Sequence, residues 1–262
     1  MPTIKTNDIQ TYYEVHGEGP ALVFIHGLGA CHKMWQPQVE PFAKHFKVII
    51  YDVRGHGEST SSDDKYSIKL FASDLKVLLD ELGVAKAHIC GLSMGGLIAQ
   101  QFALDCPAMV DKLILAGTFC HLGIRGNIVI GFARALNRVV LTFISMETNA
   151  KIGAKGTFRK EEQAELRDFF INEVSAVSKK EYFKAIAATY AFDSLKRLHE
   201  LEAPTLILNA EGEKQERKQA DIMLREIKDS RKELIMDAFH ATNLEKPEEF
   251  NRLVLEFLLG ER

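Results

Sequence analysis

Three features of this 262-residue sequence predict an α/β fold built on a doubly wound, mostly parallel sheet. Short apolar runs of strand length recur along the chain. Amphipathic helical periodicity fills several of the gaps between them. In one long interval the alternation gives way to helix after helix.

The strand-like runs are Ala21–Ile25, Val48–Tyr51, Ala87–Cys90, Leu113–Ala116, Thr205–Leu208 and Glu233–Met236. Nearly continuous apolarity at this length suits strands covered by helices on both faces. Ahead of them, residues 3–15 alternate around Asn7-Asp8, which predicts a β-hairpin. Ile68, Phe71, Leu75, Leu78, Leu79 and Leu82 follow three- and four-residue steps and stop at Gly83. Phe250, Leu253, Val254, Phe257 and Leu258 repeat those steps behind Pro247. Strands alternating with helices imply right-handed crossovers and a doubly wound sheet.

Between Ala116 and Thr205 the segments Phe132–Met146 (apolar), Lys160–Val177 (amphipathic) and Lys179–Tyr190 all read as helix. This interval is expected to be a helical cap (119–203) inserted into an α/β core formed by 1–118 and 204–262. Eight of the 16 phenylalanines lie between Phe119 and Phe192. Their rings either fasten the cap to the sheet or line an apolar pocket beneath it.

Composition sets bounds on function. The chain is 46% hydrophobic and 26% charged, as ordinary globular proteins are. Its 33 basic and 36 acidic residues leave a net charge of −3. Nucleic-acid binding through counterion release is therefore set aside. No apolar stretch reaches the ~18 residues of a membrane span, and the start, Met1-Pro2-Thr3-Ile4-Lys5, has no signal-peptide run. Cys31, Cys90, Cys106 and Cys120 lack C-x-x-C spacing, which argues against zinc or a dithiol and for reduced thiols in a cytoplasmic protein. Oligomeric state is not legible.

The sharpest chemical signal is Gly91-Leu92-Ser93-Met94-Gly95, between the strand Ala87–Cys90 and the helical run from Leu97. A serine on such a sharp turn stands above the sheet at the positive end of a helix, and glycines two before and two after let strand and helix approach. A second signal, His26-Gly27-Leu28-Gly29, follows the first buried strand. Its turn can aim backbone N–H groups at an oxyanion over Ser93, with Leu28 and Met94 the natural donors. His26 itself reads as a structural hydrogen-bonding residue. The third motif, Asp52-Val53-Arg54-Gly55-His56-Gly57-Glu58-Ser59, reads as a tight turn in which Asp52, Arg54 and His56 are structural.

These three motifs, in this order, resemble the α/β-hydrolase superfamily over essentially the whole chain. The resemblance implies a catalytic triad in the chain order nucleophile, acid, histidine, with Ser93 as nucleophile. His240, in Phe239-His240-Ala241-Thr242-Asn243-Leu244-Glu245, looks like the family's histidine loop. It departs from the pattern in carrying Phe239 where glycine is usual, a ring that would narrow the site or restrict the backbone. The acid should follow the strand Thr205–Leu208, where the loop reads Asn209-Ala210-Glu211-Gly212-Glu213-Lys214-Gln215-Glu216 and holds no aspartate. Counting from Pro204 places Glu213 at the acid position, with Glu211 and Glu216 as rivals.

The implied chemistry is acyl transfer without metal or organic cofactor, on a small-molecule ester or lactone. Serine at position 93 argues against the family's epoxide hydrolases and haloalkane dehalogenases, which carry aspartate there. A carboxylesterase for small to medium acyl groups is the leading expectation. The stretches Ala87–Gly96 and Tyr51–Ser59 are also similar to enol-lactone hydrolases, and carbon–carbon bond hydrolases and cofactor-free perhydrolases share the framework. An acidic lactone would call for a cation facing the pocket, and Arg125, Arg134 and Arg138 are candidates. A ligand-sensing protein on a hydrolase scaffold is the alternative of another class.

Overall fold

The computed structural model describes residues 2–122 and 142–260. Strands β1 (Thr3–Thr6), β2 (Ile9–His16), β3 (Ala21–Ile25), β4 (Lys47–Tyr51), β5 (Ala87–Leu92), β6 (Val110–Ala116), β7 (Thr205–Ala210) and β8 (Ser230–Ile235) form one sheet in the order β1-β2-β4-β3-β5-β6-β7-β8. The first two join antiparallel and all the others run parallel. The hairpin turns at Asn7, whose φ of 50° is one that asparagine tolerates.

Successive side chains of a strand point to opposite faces, and each face has its own cover. Val23, Ile25, Ile49, Ile89, Leu113, Leu115 and Ile207 pack against α2 (Ile68–Glu81), α3 (Met94–Asp105) and α7 (Lys214–Glu226). Leu22, Phe24, Val48, Ile50, Ile114 and Leu206 pack against α1 (Gln36–Ala43) and α8 (Pro247–Leu259). That two-sided cover explains why the strands read as unbroken apolar runs. Ser67 caps α2 by accepting the Leu70 N–H on its hydroxyl, and the stripe behind it is buried.

The expected last strand, Glu233–Met236, is displaced in the structure to Ser230–Ile235, with Met236 half exposed. β8 is an edge strand paired only with β7. Its residues 230–234 are only partly buried, so apolarity does not mark its start.

Between β6 and β7 lie α4 (Met146–Thr157), α5 (Ala164–Ala176) and α6 (Lys179–Ala191). The last two match the expected Lys160–Val177 and Lys179–Tyr190 segments. α4 was not foreseen, because it buries only the small side chains of Ala150 and Ala154 and shows no stripe of large apolar residues. Ser145 and Ser178 cap α4 and α6 through their hydroxyls. The expected apolar helix Phe132–Met146 falls mostly outside the described residues, as do Arg125, Arg134 and Arg138.

The turns after β3 and β4 are locked together by buried polar groups. His26 donates from Nδ1 to Gly27 O (2.8 Å) and accepts the Val53 N–H on Nε2 (2.8 Å). Burial pushes its pKa down to about 3, which keeps the ring neutral and able to accept. Asp52 accepts from His32 N (2.6 Å), His32 Nδ1 (2.9 Å) and Glu58 N (2.8 Å). Arg54, fully buried, makes a two-pronged contact with Asp74, Nε–Oδ2 and Nη2–Oδ1 both 2.8 Å, and reaches Asp8 and Ser62. His56 donates from Nδ1 to Arg54 O (3.1 Å). These residues have the structural roles their motifs suggested.

Removing one partner of a buried ion pair strands the other without compensation. Arg54→Ala, which leaves Asp74 buried, is expected to destabilise the fold by about 3–5 kcal/mol. Urea denaturation would read this as a lower midpoint at an unchanged slope.

Candidate active site

Ser93 stands between β5 and α3 with φ 55° and ψ −117°, a conformation that costs a non-glycine residue about 1–3 kcal/mol. Its surroundings fix it there. Its N–H donates to Ala116 O (2.9 Å), and its carbonyl accepts from Gly96 N (2.9 Å) and Thr118 Oγ1 (2.8 Å). The flanking glycines are required by contact: a Cβ on Gly91 would lie 2.2 Å from Gly95 O, and one on Gly95 would lie 2.1 Å from Ile25 O.

Met94 opens α3 with its side chain in the core, so its N–H is one of the unsatisfied donors of a helix start. Leu28 lies in the turn after β3, and the α-carbon of its neighbour Gly27 comes close enough that a Cβ there would sit 3.5 Å from Ser93 Cβ. Leu28, Ser93 and His240 all line one cavity of about 240 Å³, whose apolar walls include Met34, Leu92, Phe169, Phe170 and Leu244. The phenylalanines of the inserted interval divide their tasks. Phe169 and Phe170 face this cavity, Phe192 is buried in the core, and Phe158 packs edge-on against Phe170 at 6.0 Å.

His240 follows β8, and its Nδ1 is hydrogen-bonded to Oε1 of the buried Glu213. Burial opposes a charge on this imidazole, but the Glu213 carboxylate outweighs it, and the His240 pKa is raised. Of the three candidate acids, only Glu213 bonds to the ring. Glu211 instead accepts the Asp237 N–H (3.1 Å) at the surface, and Glu216 is half-buried in the first turn of α7. The structure thus brings His240 and Glu213 into contact and places Ser93, Leu28 and His240 around one space.

Phe239 does not narrow that space. It lines an adjoining open cleft, which shares Thr157 and His240 with the cavity, and there the Arg159 guanidinium lies 4.6 Å from its ring. Its φ is not positive, so the absent glycine leaves no backbone strain. Sequence reasoning passed over Glu245. Its Oε1 accepts the N–H groups of Phe239 (3.0 Å) and His240 (2.9 Å), and its Oε2 accepts Gln163 Nε2 (3.0 Å). One carboxylate therefore anchors the histidine loop to the inserted helices. A carboxylate five residues past a loop histidine, just before a helix, is the only local trace of that role.

Cys31, His32 and Asp52 bring a thiol, an imidazole and a carboxylate within 4.8 Å of one another. Asp52 is already engaged with His32 and Glu58, as above. The Cys31 thiol donates to Glu173 Oε2 (2.5 Å), and burial together with that carboxylate pushes its pKa up, so it stays a poor metal ligand.

The chain shares its architecture with known hydrolases. A family model described as alpha/beta hydrolase fold matches residues 20–247. The 3-oxoadipate enol-lactonase 2 of Acinetobacter baylyi is 28% identical over 255 residues, covering 96% of this chain and 94% of that protein. The crystal structure of an enol-lactonase from Burkholderia xenovorans superposes with a TM-score of 0.90 at 27% identity, covering 98% of this chain and 100% of the other. A thermophilic esterase from Thermogutta terrifontis superposes with a TM-score of 0.88 at 25% identity, covering 99% and 98%.

A Glu213→Gln variant keeps the size of the acid and removes its charge. Burial of His240 is then opposed only by the weaker pull of Glu216 and Glu245, so its pKa should fall from above its ordinary value of 6.5 toward or below it. NMR titration of the imidazole would read the shift. The acid limb of any His240-dependent rate should move to lower pH with it, because the neutral base then persists further into acid.

Proposed function

The chain belongs to the alpha/beta hydrolase fold family and is a hydrolase, and from that premise we propose that it cleaves small to medium carboxylic esters through Ser93, His240 and Glu213. One observation carries the reading. A serine held in a strained turn at a helix start shares an apolar cavity with a histidine whose Nδ1 is occupied by a buried carboxylate.

In this mechanism Nδ1–H of His240 donates to Glu213, which leaves Nε2 as the basic atom. Nε2 takes the Ser93 hydroxyl proton as Oγ attacks the ester carbonyl carbon. The carbonyl oxygen becomes an oxyanion and accepts hydrogen bonds from the N–H groups of Leu28 and Met94. The imidazolium, stabilised by Glu213, then gives its proton to the leaving alkoxide, and the alcohol departs from an acyl-Ser93. Water repeats the sequence, with His240 first taking a proton from it and then returning that proton to Ser93, and the acid is released. The interval 119–203 acts as the cap, with Phe169 and Phe170 limiting the acyl chain. The four unpaired thiols support a reducing compartment, the cytoplasm, as the place of action.

Lactone hydrolysis is the second reading, favoured by the enol-lactonases among the relatives. It uses the same steps, except that the leaving alkoxide stays tethered to the acyl group.

A p-nitrophenyl ester series from acetate upward, with lactones in parallel, tests both. Multiple turnovers with an optimum at short or medium chains are expected, and Ser93→Ala should lower kcat by about 10⁴-fold or more. Equal rates in the two proteins would remove Ser93 from the chemistry. A single acylation without turnover would point to a sensing role instead.

A further inference from the structure

The cavity beside Ser93 contains a carboxylate that the proposed reaction does not use. Glu173 lies on α5 one turn beyond Phe169 and Phe170, and all three side chains line the cavity. Among the described lining residues the only other ionisable side chain is His240, and none is lysine or arginine.

Glu173 is fixed in place. Cys31 Sγ donates to its Oε2 at 2.5 Å, and Lys33 Nζ lies 3.6 Å from its Oε1. Lys33 offsets only part of that charge for the cavity, because its ammonium is half exposed, where water screens it, and borders a different, polar cleft that Glu173 also reaches. The carboxylate therefore sits in the wall between the two, presented to an apolar space on one side and to its counter-ion on the other.

We propose that Glu173 is a specificity-determining residue that makes this site accept neutral and cationic acyl groups and refuse anionic ones. The proposal rests on the reading of this cavity as the ester-binding site. An acyl chain ending in a carboxylate would bring a second negative charge against a fixed one, among apolar walls that exclude screening water. Two like charges about 6 Å apart at an effective dielectric of about 20–40 lower binding by about 10- to 100-fold. A chain ending in methyl loses nothing, and one ending in a quaternary ammonium gains. Like-charge juxtaposition is an efficient means of rejecting a wrong partner.

The test compares three p-nitrophenyl esters of matched length: hexanoate, the hemi-ester of glutarate, and 4-(trimethylammonio)butyrate. The wild-type protein should show kcat/KM for the anionic ester about 10- to 100-fold below the neutral one, mostly in KM, with the cationic ester at least equal to the neutral one. Glu173→Gln should bring the anionic-to-neutral ratio to within about threefold of unity by the same charge argument, whereas Glu173→Asp, which keeps the charge, should preserve the discrimination. A merely structural role would move the two variants alike and leave the ratio untouched. A wild-type ratio near one, or equal ratios in both variants, overturns the proposal. If none of the esters is turned over, the reading of Ser93 fails. Calorimetric binding of the three corresponding amides then decides on Glu173 by the same ratios.

Discussion

The site depends on one close backbone approach. The first turn of α3 lies so near the end of β3 that position 95 has no room for a Cβ, which would stand 2.1 Å from Ile25 O. That contact sets the distance between the turn after β5, which carries Ser93, and the turn after β3, which carries Leu28. A single methyl group would have to push the two apart. The strain at Ser93 persists because hydrogen bonds from Thr118 and Gly96, and one to Ala116, hold it from the neighbouring strand and helix. The His26 bridge to Val53 performs the same service for the other turn.

Charge in this region is placed by burial as much as by sequence. His26 is kept neutral so that it can accept a backbone N–H, while His240 is pulled toward the charged form by Glu213. Two histidines on the same sheet edge thus have opposite pKa shifts: burial prevails at His26, and the Glu213 carboxylate outweighs it at His240. Glu245 contributes neither proton nor charge transfer. It spends its two oxygens on the backbone of the histidine loop and on Gln163, so the loop's position and the packing of the inserted helices are coupled through one side chain.

What could be read from the sequence was what local chemistry determines. The strands of the sheet interior are legible because two-sided burial leaves few polar positions in them. Ser93 is legible because its turn requires glycine at 91 and 95. His240 and Glu213 follow from chain order and from counting, and the structure joins them by a hydrogen bond. The edge strand β8 was misplaced because its exposed flank admits polar residues. α4 was missed because it packs through alanines. Glu173 carries no signal of its own within the amphipathic Lys160–Val177 segment. Only the placement of α5 against the turn after β3, more than 140 residues earlier in the chain, turns it toward a cavity.

The strands that bracket the inserted helices, β6 and β7, are immediate neighbours, with Leu113 paired to Thr205 and Ala116 to Leu208. Neighbouring strands are about 4.8 Å apart. Because the two run parallel, the 119–203 interval serves the sheet as a crossover that returns from the end of β6 to the start of β7, as any connection between adjoining parallel strands must. Loop-closure entropy grows only slowly with length, so enlargement of this interval away from the residues that pack on the core costs the scaffold little while changing one wall of the cavity. In such a chain the ceiling over the serine can diversify separately from the floor beneath it, and substrate range becomes the most readily revised property of the molecule.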